Sequence, residues 1–294
     1  MRCVVAVMDA GDVLGREVVQ VLDDDEAAFV SELRLFGGGE DTTGHFRGRA
    51  LPIRPYSPAA FKGVHIAING GDREIASGAV AVALATEHSD ALLVVPGLDL
   101  SALEDHEGLV TIPDGVSMAL ALLARAFQGE LERITGAVLL PASACGPKGI
   151  EELYAQTVAL FNQDPLPDDV LGGRLAFNVR PTDYRFLGLD RLGLPSVSLT
   201  TLLVPVFAGT TLVLDLWLRA PMGASAAAAR IEAVPGLDLG DSAEPADLVG
   251  QPFVRVVRPE GGDRLRVLAA LDDVRITAAS LVQVAREIAD REAM

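Results

Sequence analysis

The sequence predicts an α/β protein of two domains: a Rossmann-like, doubly wound domain, then a sheet-rich α+β domain with a mixed or antiparallel sheet. Three observations predict it. The chain opens on a continuous apolar run, RCVVAVM, that leads into a stretch apolar at helical spacing, and this is a β-turn-α unit. Short strands then alternate with helical stretches, the pattern of a parallel, doubly wound sheet. Later, long apolar strands follow one another with few helices between them, which suggests an antiparallel or mixed sheet.

Each element has its own justification. RCVVAVM lacks polar alternation, as a strand buried on both faces does. Asp12 to Leu22 carries Val13, Leu14, Val18, Val19 and Leu22 on one helical face. SELRLF, ALPIRPY, VHIAIN and ALLVVP read as short strands, and the alanine-rich stretch from Asp72 to Glu87 reads as a helix between the last two. LVTIPDG is a strand ending at a turn, and Val116 to Phe127 is apolar nearly all round, as a helix buried between layers is. ITGAVLLP is a strand and KGIEELYAQTVALF an amphipathic helix; SLTTLLVPVF, TTLVLDLWLRA, PFVRVVR and RLRVLAAL are the long strands. From Ile276 to Ala293, the set Ala278, Leu281, Ala285, Ile288 and Ala289 marks a closing amphipathic helix, expected to pack on the first domain. The expected boundaries are 1–114, completed by 273–294, and 115–272.

Composition narrows the function. With 294 residues, 50% of them hydrophobic, each domain can bury a core of its own. The sequence shows neither a charge-free apolar run of membrane-spanning length nor a signal-peptide pattern at its start, so a cytoplasmic setting without membrane association is expected. Cys3 and Cys145 are the two cysteines, too few for a disulfide framework or a cysteine metal site. A formal charge of −17 opposes nucleic-acid binding, which needs clustered Lys and Arg, and is otherwise explained by solubility.

Taken in order, VLGREVVQVL, VSELRLF, FKGV, LLVVP, KGIEELYAQT, AFNV and VPVFAG resemble the aspartate-semialdehyde dehydrogenase family over most of the chain. The resemblance implies a Rossmann domain, a catalytic and dimerisation domain, and reversible formation of an aldehyde from an acyl phosphate with NADP. It also implies where the chemistry should sit, and there this sequence departs from the pattern. The family's phosphate turn, G-x-x-G-x-x-G, is matched by Asp9, Gly11, Asp12 and Gly15, with aspartates at the first two glycine positions. Bare backbone at a helix N-terminus attracts a diphosphate. Here, at about 5 Å and an effective dielectric near 20, each like-charge pair costs on the order of 3 kcal/mol. A turn rescued by Gly11 is the less favoured alternative.

The resemblance puts the nucleophilic cysteine of an Asn-Cys pair at Gly115, after Asp114, and the general-base histidine at Thr210. It puts the acyl-positioning glutamine at Leu140 and a substrate arginine at Leu203. The family's substrate-gripping helix shrinks to the bridge RPTDYRFLGLDRLGLP, and its Asn-Ser-Ser segment is absent between His88 and Leu92. All four histidines, His45, His65, His88 and His106, fall in the first domain; His65 is expected to be packed by the sheet and the others solvated.

Cys145, in a loop with Lys148 nearby, is a weak candidate for a displaced nucleophile, since an unactivated loop thiol is more often incidental. Asp9, Asp12, Asp114 and Asp273 could line the former cofactor cleft as a hard-cation site, against the simpler reading of acidic drift. Trp217 fits a sheet residue at a core or subunit contact. The resulting expectation is a non-catalytic family member, with no cofactor, forming a homodimer or a mixed dimer with an active paralogue, in a structural, regulatory or ligand-sensing role. The alternative is an NAD(P)-dependent semialdehyde dehydrogenase of amino-acid biosynthesis with relocated catalytic groups, for which NADP would be the cofactor.

Overall fold

The computed structural model describes residues 2–25, 27–38, 42–69, 78–86, 90–98 and 100–291. The chain divides into two compact units: 1–118, 186–192 and 274–294 form the first, and 119–185 and 193–273 the second.

In the first unit, β1 (Cys3–Val7) is apolar and lies in the middle of its sheet. It leads into α1 (Val13–Asp24), whose Val18, Val19, Val21 and Leu22 are buried. Then come β2 (Val30–Phe36), the hairpin β3 (Thr43–Phe46) and β4 (Arg49–Arg54), β5 (Ile66–Ile68), β6 (Val80–Leu84), β7 (Leu92–Leu93) and β8 (Leu109–Ile112). The sheet order is β3-β4-β2-β1-β5-β6-β8-β7, parallel except for β3 with β4. Arg47 and Gly48, both at positive φ, make the left-handed two-residue turn of that hairpin. α2 (Gly115–Ala126) follows β8 and is buried along nearly its whole length.

One expected element is corrected. The helix expected over Asp72 to Glu87 is a strand at Val80–Leu84, paired to β5 and β8; residues 72–77 and 87 lie outside the described residues. VAVAL alternates β-branched valines, and burial in the sheet outweighs the weak helical preference of its alanines. β3 was not anticipated, because TGHF carries little apolar pattern.

The second unit contains β9 (Leu131–Leu140), α3 (Pro147–Asn162), β10 (Arg180–Pro181), β11 (Ser196–Leu203), β12 (Thr210–Met222), α4 (Ala224–Glu232), β13 (Leu237–Gly240), β14 (Val254–Val257) and β15 (Gly262–Leu271). The order is β10-β11-β9-β12-β15-β14-β13, a mixed sheet: β11 with β9 and β13 with β14 are parallel, the other pairs antiparallel. On one face, Ile134, Val138, Leu212, Leu214, Leu216, Leu265 and Val267 are fully buried. On the other, Val213 and Leu268 are exposed, and Arg133, Asp215, Arg264 and Arg266 stand beside them. Two alternating faces of unequal burial are the signature of a sheet packed on one side.

α5 (Asp273–Arg291) carries the chain back into the first unit, burying Ile276, Leu281, Val284, Ala285 and Ile288. Arg275 joins it to α1 through Glu17 Oε1 at 2.9 Å and Asp24 Oδ2 at 2.7 Å. Arg286 reaches Asp25 at 2.7 Å.

Candidate active site

The turn after β1 is tight and left-handed at its start, and it carries two aspartates. Asp9 has φ 49°, a left-handed conformation ordinarily given to glycine. Its carbonyl accepts the Asp12 N–H at 2.9 Å, while the Ala10 N–H is spent on Phe36 O at 2.9 Å. Gly15 is required: a Cβ there would lie 2.1 Å from Asp9 O and 2.7 Å from Ala10 Cα. Asp12 is the N-cap of α1, exposed, with no capping hydrogen bond from its side chain. Gly11 is half-buried between the two aspartates.

At the start of α2, Asp114 is buried and doubly engaged. The Ser117 N–H donates to its Oδ1 at 2.7 Å and the Leu187 N–H to its Oδ2 at 2.6 Å. Its own N–H donates to Leu187 O at 3.1 Å. Burial pushes its carboxyl above the usual carboxylate range, and the bonds from Ser117 and Leu187 offset part of that rise. Because the two N–H groups are received on different oxygens, asparagine would turn its NH2 toward one of them. Gly115 follows with no side chain.

In the second unit, Leu140 ends β9 and Leu203 ends β11, and the two are register partners, both buried. Thr210, fully buried at the head of β12, donates its hydroxyl to Asp273 Oδ1 at 3.2 Å. Cys145 closes a short 3₁₀ turn, Ala142–Cys145, and is half-buried. Burial, then the nearby Glu152 carboxylate, push its thiol pKa up, which opposes formation of a nucleophilic thiolate.

The described histidines are occupied or remote. His65 Nδ1 accepts the Val4 N–H at 3.0 Å, and His106 Nδ1 accepts the Gly108 N–H at 3.2 Å. His45 is exposed on β3, and His88 lies outside the described residues. Among the described residues, no three His, Cys, Asp or Glu side chains are gathered so as to hold a metal ion. The expected cluster of Asp9, Asp12, Asp114 and Asp273 is not such a group, because the Asp114 oxygens already serve backbone N–H groups and Asp273 receives Thr210. Trp217 Nε1 donates to Thr135 Oγ1 at 3.0 Å, and the Arg133 guanidinium covers the ring at 4.6 Å.

The sequence reading missed the work of two groups. Glu152 and Gln156, polar at i and i+4 on the buried face of α3, hold the loop that follows it: Glu152 accepts from the N–H groups of Val170 and Leu171, Gln156 from those of Leu175 and Ala176. Their helical spacing beside Leu153 was the available signal. The other group is the bridge at 186–192, bound to Asp114, for which the sequence offers only its glycine.

The chain was compared with known proteins. No family model matches it. It is 26% identical over 292 residues to aspartate-semialdehyde dehydrogenase 2 of Vibrio cholerae, a match covering 88% of this chain and 84% of that protein. It is 27% identical over 213 residues to the aspartate-semialdehyde dehydrogenase of Bacillus subtilis, over 62% of this chain and 59% of that protein's length. The crystal structure of aspartate semialdehyde dehydrogenase II from Vibrio cholerae, complexed with ASA, superimposes with a TM-score of 0.87 at 22% identity over the whole of both chains. The chain is similar to the aspartate-semialdehyde dehydrogenases in sequence and in fold.

The fold of this chain, a Rossmann-like α/β unit and a mixed-sheet unit, is that of the aspartate semialdehyde dehydrogenase structure. Among the described residues no helix is long and apolar enough to cross a membrane.

Proposed function

We propose that this chain is a non-catalytic relative of the aspartate-semialdehyde dehydrogenases that binds no dinucleotide and serves as a structural, regulatory or ligand-sensing protein in the cytoplasm. One observation carries the reading: the positions that the resemblance assigns to nucleophile and general base hold Gly115 and Thr210, and the Thr210 hydroxyl is spent on Asp273. Glycine has no side chain with which to attack a carbonyl, and a buried threonine hydroxyl does not titrate near neutral pH. The competing reading, a semialdehyde dehydrogenase with relocated groups, would need Cys145, whose thiol is pushed up rather than down. Likeness of fold does not transfer a reaction when the site groups differ.

The cofactor fits poorly for the same kind of reason. The residues at the turn offer the carboxylates of Asp9 and Asp12 where a diphosphate favours N–H donors.

A homodimer, or a mixed dimer with an active paralogue, accounts for the apolar surface of the second unit. Tyr154, Phe161 and Phe177 are 64%, 76% and 64% exposed, and Val213 and Leu268 stand on the open sheet face. Large exposed apolar side chains such as these, with Phe161 and Phe177 in ring contact, suit an interaction site.

The test is calorimetric titration of the purified protein with NADP and NADPH, beside an assay of phosphate-dependent oxidation of aspartate semialdehyde. No binding and no turnover is expected. Micromolar binding with turnover would reject the reading.

A further inference from the structure

In a doubly wound sheet, ligands are held outside the carboxyl ends of the parallel strands, and a dinucleotide lies across that edge. In the first unit this edge is formed by the residues that follow β1, β5, β6 and β8. At β6 and β8 it meets another part of the same chain, the segment Phe186–Leu192, which clusters with this unit although it is remote in sequence.

Contacts from three of its residues, Leu187, Gly188 and Arg191, fix the segment there. Asp114, two residues past β8, exchanges a pair of hydrogen bonds with Leu187: its N–H to Leu187 O at 3.1 Å, and the Leu187 N–H to its Oδ2 at 2.6 Å. Gly188, buried at φ 78°, passes so close to Ala85 and Pro113 that a Cβ would sit 3.2 Å from each. Both its conformation and the contact call for glycine. The Leu189–Arg191 turn closes with the Arg191 N–H on Gly188 O at 3.1 Å. The Arg191 guanidinium then reaches the Ala91 carbonyl and, at 3.5 Å, Thr111 Oγ1 on β8. Ala85 and Pro113 are the residues immediately after β6 and β8, so the Gly188 and Asp114 contacts fall on the ligand-holding edge, while Arg191 ties the segment to β8 and to the residue before β7.

We propose that segment 186–192 is a built-in occupant of the nicotinamide half of the former cofactor site, latched at one end by Asp114 and at the other by Arg191. This rests on the non-catalytic reading, since a working dehydrogenase needs that space for the ring. It also gives Asp114 a purpose. A carboxylate has an acceptor for the cap of α2 and a second one for the latch.

Reduced nicotinamide mononucleotide is the probe, because it lacks the adenosine half and so reports on this end of the site. It is titrated, by its fluorescence, into the wild type and into the Asp114→Asn, Arg191→Ala double variant. At least tenfold tighter binding by the variant is expected. Equal titrations, including no signal from either protein, overturn the latch. Turnover by the wild type would instead reject the non-catalytic reading and the latch together.

Amide exchange on the unaltered protein gives a second measurement that needs no variant. The Leu187 amide should exchange as slowly as the Met118 amide of α2. Exchange at the rate of an open loop overturns the proposal.

Discussion

Leu140 and Leu203 face one another across adjacent parallel strands, at the two places where the family resemblance asks for a glutamine and an arginine. Both are buried, so these two register partners form an apolar pair.

Restoring the polar groups should therefore destabilise the protein. Leu203→Arg places a charge in a buried position with no carboxylate opposite it, at a cost on the order of 3 kcal/mol. Leu140→Gln should cost about 2 kcal/mol for an amide left short of partners. The double variant should cost less than the sum, because the amide oxygen can accept from the guanidinium on the neighbouring strand, although it cannot neutralise the charge. Urea unfolding of the three variants checks this.

The turn after β1 makes a contrasting pair. Gly15→Ala drives a Cβ into Asp9 O and Ala10 Cα, so the backbone must shift, and a loss of about 2–4 kcal/mol is expected. Asp9→Gly, at a left-handed φ, should change stability by less than about 1 kcal/mol. Thermal unfolding distinguishes the two.

The acid response should have two components of opposite sign. The hydrogen bond from Arg275, then that from Gln20, hold the Asp24 carboxyl below its ordinary value. Its contribution is present above the ordinary carboxylate range and lost as pH falls through the folded value. Asp114, raised chiefly by burial, behaves in reverse: stability declines as pH rises from the ordinary carboxylate value through the elevated one. Unfolding measured in steps of pH should show Arg275→Ala flattening the first component and Asp114→Asn the second. Arg275→Ala should also cost about 1–3 kcal/mol at neutral pH, because it releases both Glu17 and Asp24 from a largely buried partner.

Cys145 should be a slow thiol. With its pKa raised by burial and by Glu152, alkylation at neutral pH should run at least several-fold slower than that of a free cysteine in the same buffer. A rate faster than free cysteine would reopen the case for a relocated nucleophile.

Much of the architecture was legible because it rests on periodicity. The unbroken run at β1, the helical spacing of Val18, Val19 and Leu22, and the stripe of α5 each encode burial directly. Val80–Leu84 was misread because alanines favour a helix in isolation, and only the flanking strands β5 and β8 decide otherwise. α4 and β13 went unnoticed between longer strands. At the candidate site, the absent cysteine and histidine could be read as letters. The work of Asp114 could not, because its partner Leu187 is 73 residues away and contributes only backbone. The same holds for Thr210, whose meaning depends on Asp273.

The polar pair on α3 bears on how this unit acquires its structure. Glu152 and Gln156 reach Pro167, Val170, Leu171, Gly173, Leu175 and Ala176, over separations of 11 to 20 residues. The β12 ladders, by contrast, join Thr210 to Leu271 and Thr211 to Leu139, far apart in the chain. Short loops close at small entropic cost and long ones later. Helix α3 and its loop are thus able to form a finished piece early in refolding, ready before the large sheet has closed.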